Sequence, residues 1–294
     1  MLEPRGHRDM SGAVLTEPTS PGAHAGVLFM HGDGFSWMSG HGIVGVVTIA
    51  LERSIIVAGG DGQSLSFDTP AGTVRTTAYW GPERQEGQEG QEGHRRKVER
   101  VAFLNVPSFV MHGGIEVVVG TRRVRADIAF GGAFYAIVDG ESVGVPLDAA
   151  NVPELRRYGI EIQHAVERTL TIAHPLEPRI AGVHGTIFTG PPRDSSADLR
   201  NVTVFGNGAI DRSASGTGTA AVMTVIDAMG LLDDQRPFVH ESITGRTFTG
   251  RVAGRTMVGE YSAIVPEIQG SAWITGEHTF LVDPDDPFAM GFTL

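Results

Sequence analysis

A four-residue motif occurs twice in the chain, 176 residues apart, and this repeat limits the folds that the sequence can adopt. The copies are Ser39-Gly-His-Gly42 and Ser215-Gly-Thr-Gly218. Each runs into about ten residues that are almost all apolar, which indicates an element buried on every side. The Ala and Met content of the second copy and its Asp227–Gly230 ending favour a helix over a strand. The repeat therefore predicts two halves, each with a buried helix that begins after a serine.

The start of such a helix suits an anionic ligand. Its free N–H groups and the positive end of its dipole attract a carboxylate or a phosphate, and glycines allow close approach to the backbone. Two such sites, one in each half, could bind one small anion from opposite sides. The motif alone leaves open the alternative that Ser39 and Ser215 are ordinary N-caps, a position that serine favours.

The composition excludes several kinds of partner and chemistry. The chain of 294 residues fits one large domain or two of about 150 residues. Its net charge of −11 argues against nucleic acid and anionic membranes as partners. The longest mostly apolar run, Ile43–Leu51, is too short to span a bilayer, and the first ten residues lack a signal-peptide core, so a cytoplasmic location is expected.

The side-chain inventory narrows the chemistry further. The absence of cysteine excludes disulfides, thiolate metal ligands and thiol nucleophiles, and no His/Asp/Glu spacing suggests a metal site. Neither serine lies in a Gly-x-Ser-x-Gly elbow, which argues against a serine hydrolase. Gly216-Thr-Gly218 lacks the third glycine and the βαβ context of a dinucleotide site.

The remaining pattern is rich in short strands. A third helix is predicted over Pro153–Leu170 with Asn151 as its cap. Residues 85–93 are predicted to form a solvated polar loop, and Gly131–Val138 a glycine corner that leads into an aromatic strand. β-branched and apolar runs bounded by glycines predict the other strands, which are Ala13–Leu15, Val27–Met30, Ser54–Val57, Gly72–Tyr79, Val101–Val106, Ile115–Val119, Val124–Phe130, Gly185–Thr189, Val202–Phe205, Phe238–His240, Thr247–Val252, Thr256–Val265 and Ser271–Thr275.

The two halves differ in the length that precedes the motif. About 85 residues separate Ser215 from a plausible start of the second half near Arg125–Gly132, whereas only 38 residues precede Ser39. If the halves are duplicates, the first is expected to lack roughly 50 residues of its opening, including a strand or two.

Further motifs carry a resemblance to a known family. They are MLEPRGHRDM at 1–10, MSGHG at 38–42, VPSFV at 106–110, AFGGAFYAIVD at 129–139, GTIFTGPP at 185–192, DRSASGTGT at 211–219, HESITGRTFTGR at 240–251 and the DPDDP to GF ending at 283–292. In this order and spacing the sequence resembles the proline racemase family, which includes proline racemase, 4-hydroxyproline epimerase and trans-3-hydroxy-L-proline dehydratase. Members usually carry about 50 residues before the segment that matches Met1, in line with the shortened first half.

The resemblance implies an α+β, diaminopimelate-epimerase-like fold with two pseudo-symmetric halves, each wrapping sheet around a central helix. We expect the first half to comprise residues 1–124 plus 270–294, and the second 125–269. It also implies that no cofactor is used and that the substrate, proline or hydroxyproline, lies between the two helix N-termini. The oligomeric state stays open, a homodimer included.

The resemblance also implies roles for individual residues. The two acid/base positions fall on Ser39 and Ser215, the backbone at Gly40-His41 and Gly216-Thr217 would hold the substrate carboxylate, and Asp211 would meet the ring nitrogen. His184 is a weaker match to a substrate-contacting histidine of some members, with a structural role as the alternative.

The serine pair departs from the family, whose members generally carry cysteine at one or both positions. A serine alcohol is a far weaker acid than a thiol and needs an adjacent base, for which His41 and Asp211 are the sequence neighbours. This departure and the Gly131-Gly-Ala133 corner favour dehydration of trans-3-hydroxy-L-proline to Δ1-pyrroline-2-carboxylate. The alternatives are a hydroxyproline epimerase or proline racemase, and an inactive member that only binds a cyclic amino acid.

Overall fold

The computed structural model describes residues 2–32, 34–57, 64–82 and 96–292. These residues form four α-helices, α1 (Gly40–Glu52), α2 (Gly140–Val143), α3 (Val152–Thr169) and α4 (Gly216–Ala228), with a short 3₁₀ turn at Ala149–Asn151. They also form fourteen strands: β1 (Gly12–Thr16), β2 (Ala25–His31), β3 (Gly34–Ser36), β4 (Ser64–Thr69), β5 (Gly72–Trp80), β6 (Val98–Leu104), β7 (Ser108–Val119), β8 (Arg122–Phe130), β9 (Phe134–Asp139), β10 (Gly185–Gly190), β11 (Leu199–Phe205), β12 (Phe238–Glu241), β13 (Thr247–Val258) and β14 (Tyr261–Gly270). The predicted α+β class is confirmed.

The strands belong to one continuous sheet in the order β1-β2-β4-β5-β6-β14-β13-β12-β11-β10-β9-β8-β7, and β3 pairs with β2. β14 pairs with β6 through Glu267–Gly270 and also with β7 through Ala263 and Ile264. The second pairing closes β7 to β14 into a ring. α4 packs against β7, β8, β9, β13 and β14 of this ring, whereas α1 packs against β1, β5, β6 and β14.

β9 is buried on both faces of the ring, and the period of the strand explains how. In β9, Tyr135 and Ile137 pack into one hydrophobic core with α1 and α4, whereas Phe134, Ala136 and Val138 pack into a second core with α3. Successive side chains of a strand point to opposite faces, so one apolar run serves two cores. α3 begins one residue before the predicted Pro153 and ends one residue before Leu170.

The two motif helices have the same length. Each has 13 residues and begins directly after the motif serine, at Gly40 and at Gly216. The prediction of helices rather than strands is confirmed for both copies.

Three strand predictions are wrong. Ser54–Val57 forms the turn that ends α1, because Ser54 takes a left-handed φ of 52° and Ile55 N–H bonds back to the Ala50 carbonyl. Thr256–Val265 is divided between β13 and β14 by a turn at Gly259, whose φ is 59°. Ser271–Thr275 has no regular structure. The polar loop predicted at 85–93 lies outside the described residues.

The predicted boundary between the halves at 124/125 falls inside β8, and the one at 269/270 falls at the last residue of β14. The division therefore stays a prediction, as does the shortened opening of the first half. None of the described helices is long and apolar enough to cross a membrane.

Candidate active site

The N-termini of α1 and α4 touch each other through their first glycines. A Cβ built on Gly40 would lie 2.5 Å from the Gly216 Cα and 2.9 Å from the Thr217 backbone nitrogen, and a Cβ on Gly216 would lie 2.6 Å from the Gly40 Cα. Real Cβ atoms do not approach backbone this closely, so both positions require glycine. The first glycine of each motif thus brings two positive helix ends together.

The second glycine of each motif makes room for the serine hydroxyl. A Cβ on Gly42 would lie 2.9 Å from the Ser39 Oγ, and a Cβ on Gly218 would lie 2.6 Å from the Ser215 Oγ. Each serine Oγ instead accepts a hydrogen bond from the backbone N–H of that glycine, at 3.2 Å for Ser39 and 3.3 Å for Ser215. The serines are N-caps, and they also open onto one cavity.

The cavity has a volume of about 1000 Å³. Of the residues predicted to form the site, Ser39, His41, His184, Ser215 and Thr217 line it. Gly40 and Gly216 are buried in the contact between the helices, and Asp211 is buried beside His41. The fold therefore brings the predicted residues of both halves to one place, and their individual roles remain to be tested.

His41, in the first turn of α1, forms an ion pair with Asp211, which precedes α4. His41 Nδ1 lies 3.3 Å from Asp211 Oδ2, and the Asp211 side chain is 4% exposed. Asp211 Oδ1 accepts hydrogen bonds from the Ser213 N–H and hydroxyl, whereas Oδ2 has no hydrogen-bond partner within the described part of the chain. The 3.3 Å contact is thus a charge interaction without hydrogen-bond alignment.

This pair shifts both pKa values towards the charged forms. Burial lowers the pKa of His41, but the Asp211 carboxylate raises it, and the net pKa lies above the ordinary value. Burial raises the pKa of Asp211, and the charge of His41 with the Ser213 hydrogen bonds brings it below its ordinary value. Because the pKa of His41 is higher in the folded than in the unfolded chain, its protonation stabilises the fold. This stabilisation is fully present at a pH below the unfolded pKa of about 6.5, and it is lost as the pH rises through the folded pKa.

Asp211→Asn is expected to lower the pKa of His41 below its ordinary value, because burial would then act without the compensating carboxylate. NMR titration of the imidazole resonances measures this. His174 serves as an internal control, because burial alone dominates its lowered pKa and Glu177 is its charged neighbour. An unchanged His41 titration in the variant would contradict the ion pair.

His184 is the second histidine predicted for the site. It packs edge-on against His31 and Tyr135, with ring centroids 6.3 Å and 5.8 Å away. Burial and the neighbouring His31 and His41 lower its pKa to about 4, so the ring is neutral at physiological pH. A neutral imidazole can exchange hydrogen bonds with a hydroxyl group.

The described residues contain no group of three His, Asp or Glu placed to hold a metal ion.

Tyr135 is a site residue that the sequence did not single out. Its side chain lines the cavity, and its hydroxyl lies 2.8 Å from the Thr217 Oγ1. Burial raises the pKa of Tyr135, against the opposing effect of hydrogen bonds from Thr217 and Ser215, so the phenol stays protonated. The available signal was its position two residues after the Gly131-Gly-Ala133 corner, whose Ala133 also lines the cavity.

The Gly131–Gly132 corner explains how Tyr135 reaches the site. A Cβ on Gly131 would lie 2.1 Å from the Thr217 carbonyl oxygen, and one on Gly132 would lie 2.9 Å from the Thr217 Cγ2. The corner therefore packs directly on the first turn of α4. Its φ of 114° at Gly132 is one that other residues rarely adopt.

An α+β fold in which two repeated helices direct their N-termini at one cavity defines a two-sided binding site. Sequence comparison supplies the family: the profile described as proline racemase matches residues 1–293, and the chain belongs to that family. The chain is 42% identical to a trans-3-hydroxy-L-proline dehydratase of Bacillus cereus over 295 residues, covering 100% of this chain and 84% of the relative. It is 36% identical to a proline racemase of Acetoanaerobium sticklandii, with coverage of 100% and 84%.

Solved structures give the same assignment. A probable proline racemase from Agrobacterium radiobacter superposes with a TM-score of 0.87 at 31% identity, covering 100% of this chain and 82% of that one. A hydroxyproline epimerase from Agrobacterium vitis gives 0.88 at 29% identity, with coverage of 100% and 81%. A PhzF-family protein of Bacillus anthracis shares the fold at a TM-score of 0.55 and 12% identity. The expected diaminopimelate-epimerase-like fold is confirmed.

Proposed function

We propose that this chain is a cofactor-independent hydro-lyase that converts trans-3-hydroxy-L-proline to Δ1-pyrroline-2-carboxylate and water. The observation that carries the proposal is the meeting of Gly40 and Gly216, which places two serine-capped helix ends at one cavity. The identity of 42% to a protein named trans-3-hydroxy-L-proline dehydratase supports this substrate.

The proposed substrate is a zwitterion, and the site offers a partner for each charge. The backbone N–H groups at Gly40-His41 and Gly216-Thr217 would receive the carboxylate, favoured by both helix dipoles and, in its protonated form, by His41. The Oδ2 of Asp211, which faces His41 but accepts no hydrogen bond from the described residues, would accept one from the ring nitrogen. These contacts would hold the α-carbon between Ser39 and Ser215.

The proposed reaction breaks two bonds and forms one double bond. Ser39 removes the α-proton, and the electron pair forms a Cα–C3 double bond while the C3–O bond breaks. The leaving hydroxide takes a proton from the nearby Ser215 and departs as water. The α-proton held by Ser39 is exchanged through solvent to Ser215, so both serines return to their starting states. The enamine then moves one proton from nitrogen to C3 and becomes the cyclic imine, so the atoms of the substrate equal those of the product and water.

A serine can serve as the base only if its deprotonated form is stabilised. Each Oγ accepts a backbone N–H at the first turn of a helix, from Gly42 or from Gly218, and this hydrogen bond strengthens when the oxygen carries negative charge. The adjoining positive helix ends act in the same direction. The capping geometry that stabilises α1 and α4 therefore also favours the reactive form of both serines.

A second candidate is two-base racemisation or epimerisation of proline or hydroxyproline. It is favoured by the presence of one serine from each helix in the same cavity, and by relatives named proline racemase and hydroxyproline epimerase. This reaction needs both groups to accept and return a proton, which is harder for two alcohols than for two thiols.

An assay of the purified protein on a panel of proline, 3-hydroxyproline and 4-hydroxyproline isomers distinguishes the two candidates. We expect Δ1-pyrroline-2-carboxylate from trans-3-hydroxy-L-proline and no change of configuration in the others. Epimerisation of a 4-hydroxyproline without turnover of the 3-hydroxy compound would overturn the proposal. No turnover of any isomer, with retained binding of pyrrole-2-carboxylate, would identify a protein that only binds a cyclic amino acid.

A further inference from the structure

The two motif serines have different backbone conformations. Ser39 has an ordinary extended φ of −138°, whereas Ser215 has a φ of +61° with ψ 111°. Among the described residues, only Ser54 and Ser215 combine a side chain with positive φ. Such a conformation is strained and persists only where the surrounding structure enforces it.

The peptide unit between Ala214 and Ser215 is held at both of its polar ends. Its carbonyl oxygen accepts hydrogen bonds from the Asn201 Nδ2 at 3.0 Å and from the Thr219 Oγ1 at 3.0 Å. Its N–H, which belongs to Ser215, donates to the Ser213 Oγ at 3.0 Å. The φ of Ser215 is the torsion about its N–Cα bond. These hydrogen bonds hold the peptide plane on one side of that bond, and the Ser215 carbonyl, which accepts from the Thr219 N–H at 2.7 Å, holds the other side.

His240 contacts both side chains that hold the carbonyl. Its Nδ1 lies 2.9 Å from the Thr219 Oγ1, and its ring nitrogens lie 3.1 Å and 3.2 Å from the Asn201 Nδ2. In the Nδ1–H tautomer, His240 donates to Thr219, which in turn donates to the Ala214 carbonyl. His240 is fully buried, and burial lowers its pKa to about 3, so this arrangement does not titrate at physiological pH.

The first motif lacks a counterpart of Thr219. At the 176-residue offset of the repeat, Thr219 corresponds to Ile43, which has no hydroxyl. Ser39 accordingly has an ordinary conformation. The two motifs therefore differ in side chains that lie outside their four residues, and the strained serine belongs to the motif that has these side chains.

We propose that His240, Thr219 and Asn201 are positioning residues that force Ser215 into its strained conformation and so direct its hydroxyl into the cavity. The inference deepens the proposed function, because it treats Ser215 as a reacting group. It also assigns different roles to the two motif serines: Ser215 is held in one orientation, whereas Ser39 is an unstrained cap.

Thr219→Val tests this, because valine keeps the shape of threonine and removes the hydroxyl. We expect kcat to fall about 10-fold to 100-fold with little change in KM, since a small misplacement of a reacting group costs rate rather than binding. Thr219→Ser restores the hydroxyl and is expected to recover most of kcat. The matched control is Thr224→Val in the same buried helix, whose hydroxyl donates to the Ser108 carbonyl at 3.1 Å.

Thr219→Val loses two buried hydrogen bonds, to the Ala214 carbonyl and from His240, whereas Thr224→Val loses one. We therefore expect the larger fall in melting temperature for Thr219→Val, and a fall in kcat for that variant alone. Equal effects on kcat would overturn the proposal, as would a Thr219→Val enzyme with unchanged kcat. A crystal structure of Thr219→Val tests it without any substrate: we expect φ of Ser215 to become negative, and a φ that stays near +61° would overturn it. This arm separates its failure from a failure of the proposed reaction.

Discussion

Gly40→Ala is expected to lower kcat/KM about 100-fold or more, because the new methyl group would have to displace the backbone of the opposite helix. The atoms that it would meet are the Gly216 Cα at 2.5 Å, the Gly216 carbonyl carbon and the Thr217 nitrogen. All three are backbone, so no side-chain rotation relieves the contact. The helix ends must separate, and the distance between the two serines must then change. Steady-state kinetics and thermal unfolding measure the two consequences, with a stability cost of about 1–3 kcal/mol.

Gly45→Ala in the same helix is the matched control. A Cβ there meets no atom within 4 Å, and the residue lies in the helix interior. Alanine should stabilise the helix by about 0.5–1 kcal/mol relative to glycine and leave the contact between the helix ends unchanged. If Gly40→Ala kept the kinetics and melting temperature of the unaltered chain, the close approach of the two helices would be wrong.

The sequence predicted the centre of the site because the centre is built from local rules. A serine cap, a glycine at each close approach and an all-apolar helix are visible within a dozen residues of each motif. The offset between the copies then indicated that the two helix ends are equivalent. The first residues of α1 and α4 follow directly from that pattern.

Strand boundaries were harder, because β-branched residues also occur in turns. Ile55 and Ile56 read as a strand but bond back to Ala50 at the end of α1. Gly259 looked like a residue within a strand, and only the pairing of Val258 with Tyr261 shows a hairpin there. β4 was missed because it is half polar, with Leu65 and Phe67 as its buried apolar positions.

The support of the site could not be read from the sequence. Asn201, Thr219 and His240 lie on three different elements and meet only because β11 and β12 pair in parallel beside α4. Nothing in the local sequence of Ser215 predicts a positive φ, since a serine cap is ordinarily extended. Long-range packing sets that conformation, and it distinguishes the two copies of the motif.

The second large loss of activity is expected when either motif serine is replaced by alanine. Ser39→Ala and Ser215→Ala are each expected to lower dehydration about 100-fold to 10,000-fold, the range for removal of a positioned acid or base. Both side chains are small and lie at the cavity, so the variants should fold, with the loss of one cap hydrogen bond costing about 1 kcal/mol each. If a variant kept an activity within a few-fold of the unaltered chain, the replaced serine would not be an acid or base of the reaction.

The double variant Ser39→Cys with Ser215→Cys is expected to gain a reaction that the serines do not support. A thiol has a pKa near ~8.5, and a helix N-terminus lowers it, so both sides of the substrate would carry a thiolate or thiol in ready exchange. One group can then remove the α-proton while the other returns a proton to the opposite face. We therefore expect racemisation of proline or epimerisation of 4-hydroxyproline. In D₂O, NMR would follow this as loss of the α-proton signal with inversion. Because α1 and α4 meet at Gly40 and Gly216, a folded double variant that exchanges no α-proton would show that the cavity does not hold a prolyl carbon between its two caps.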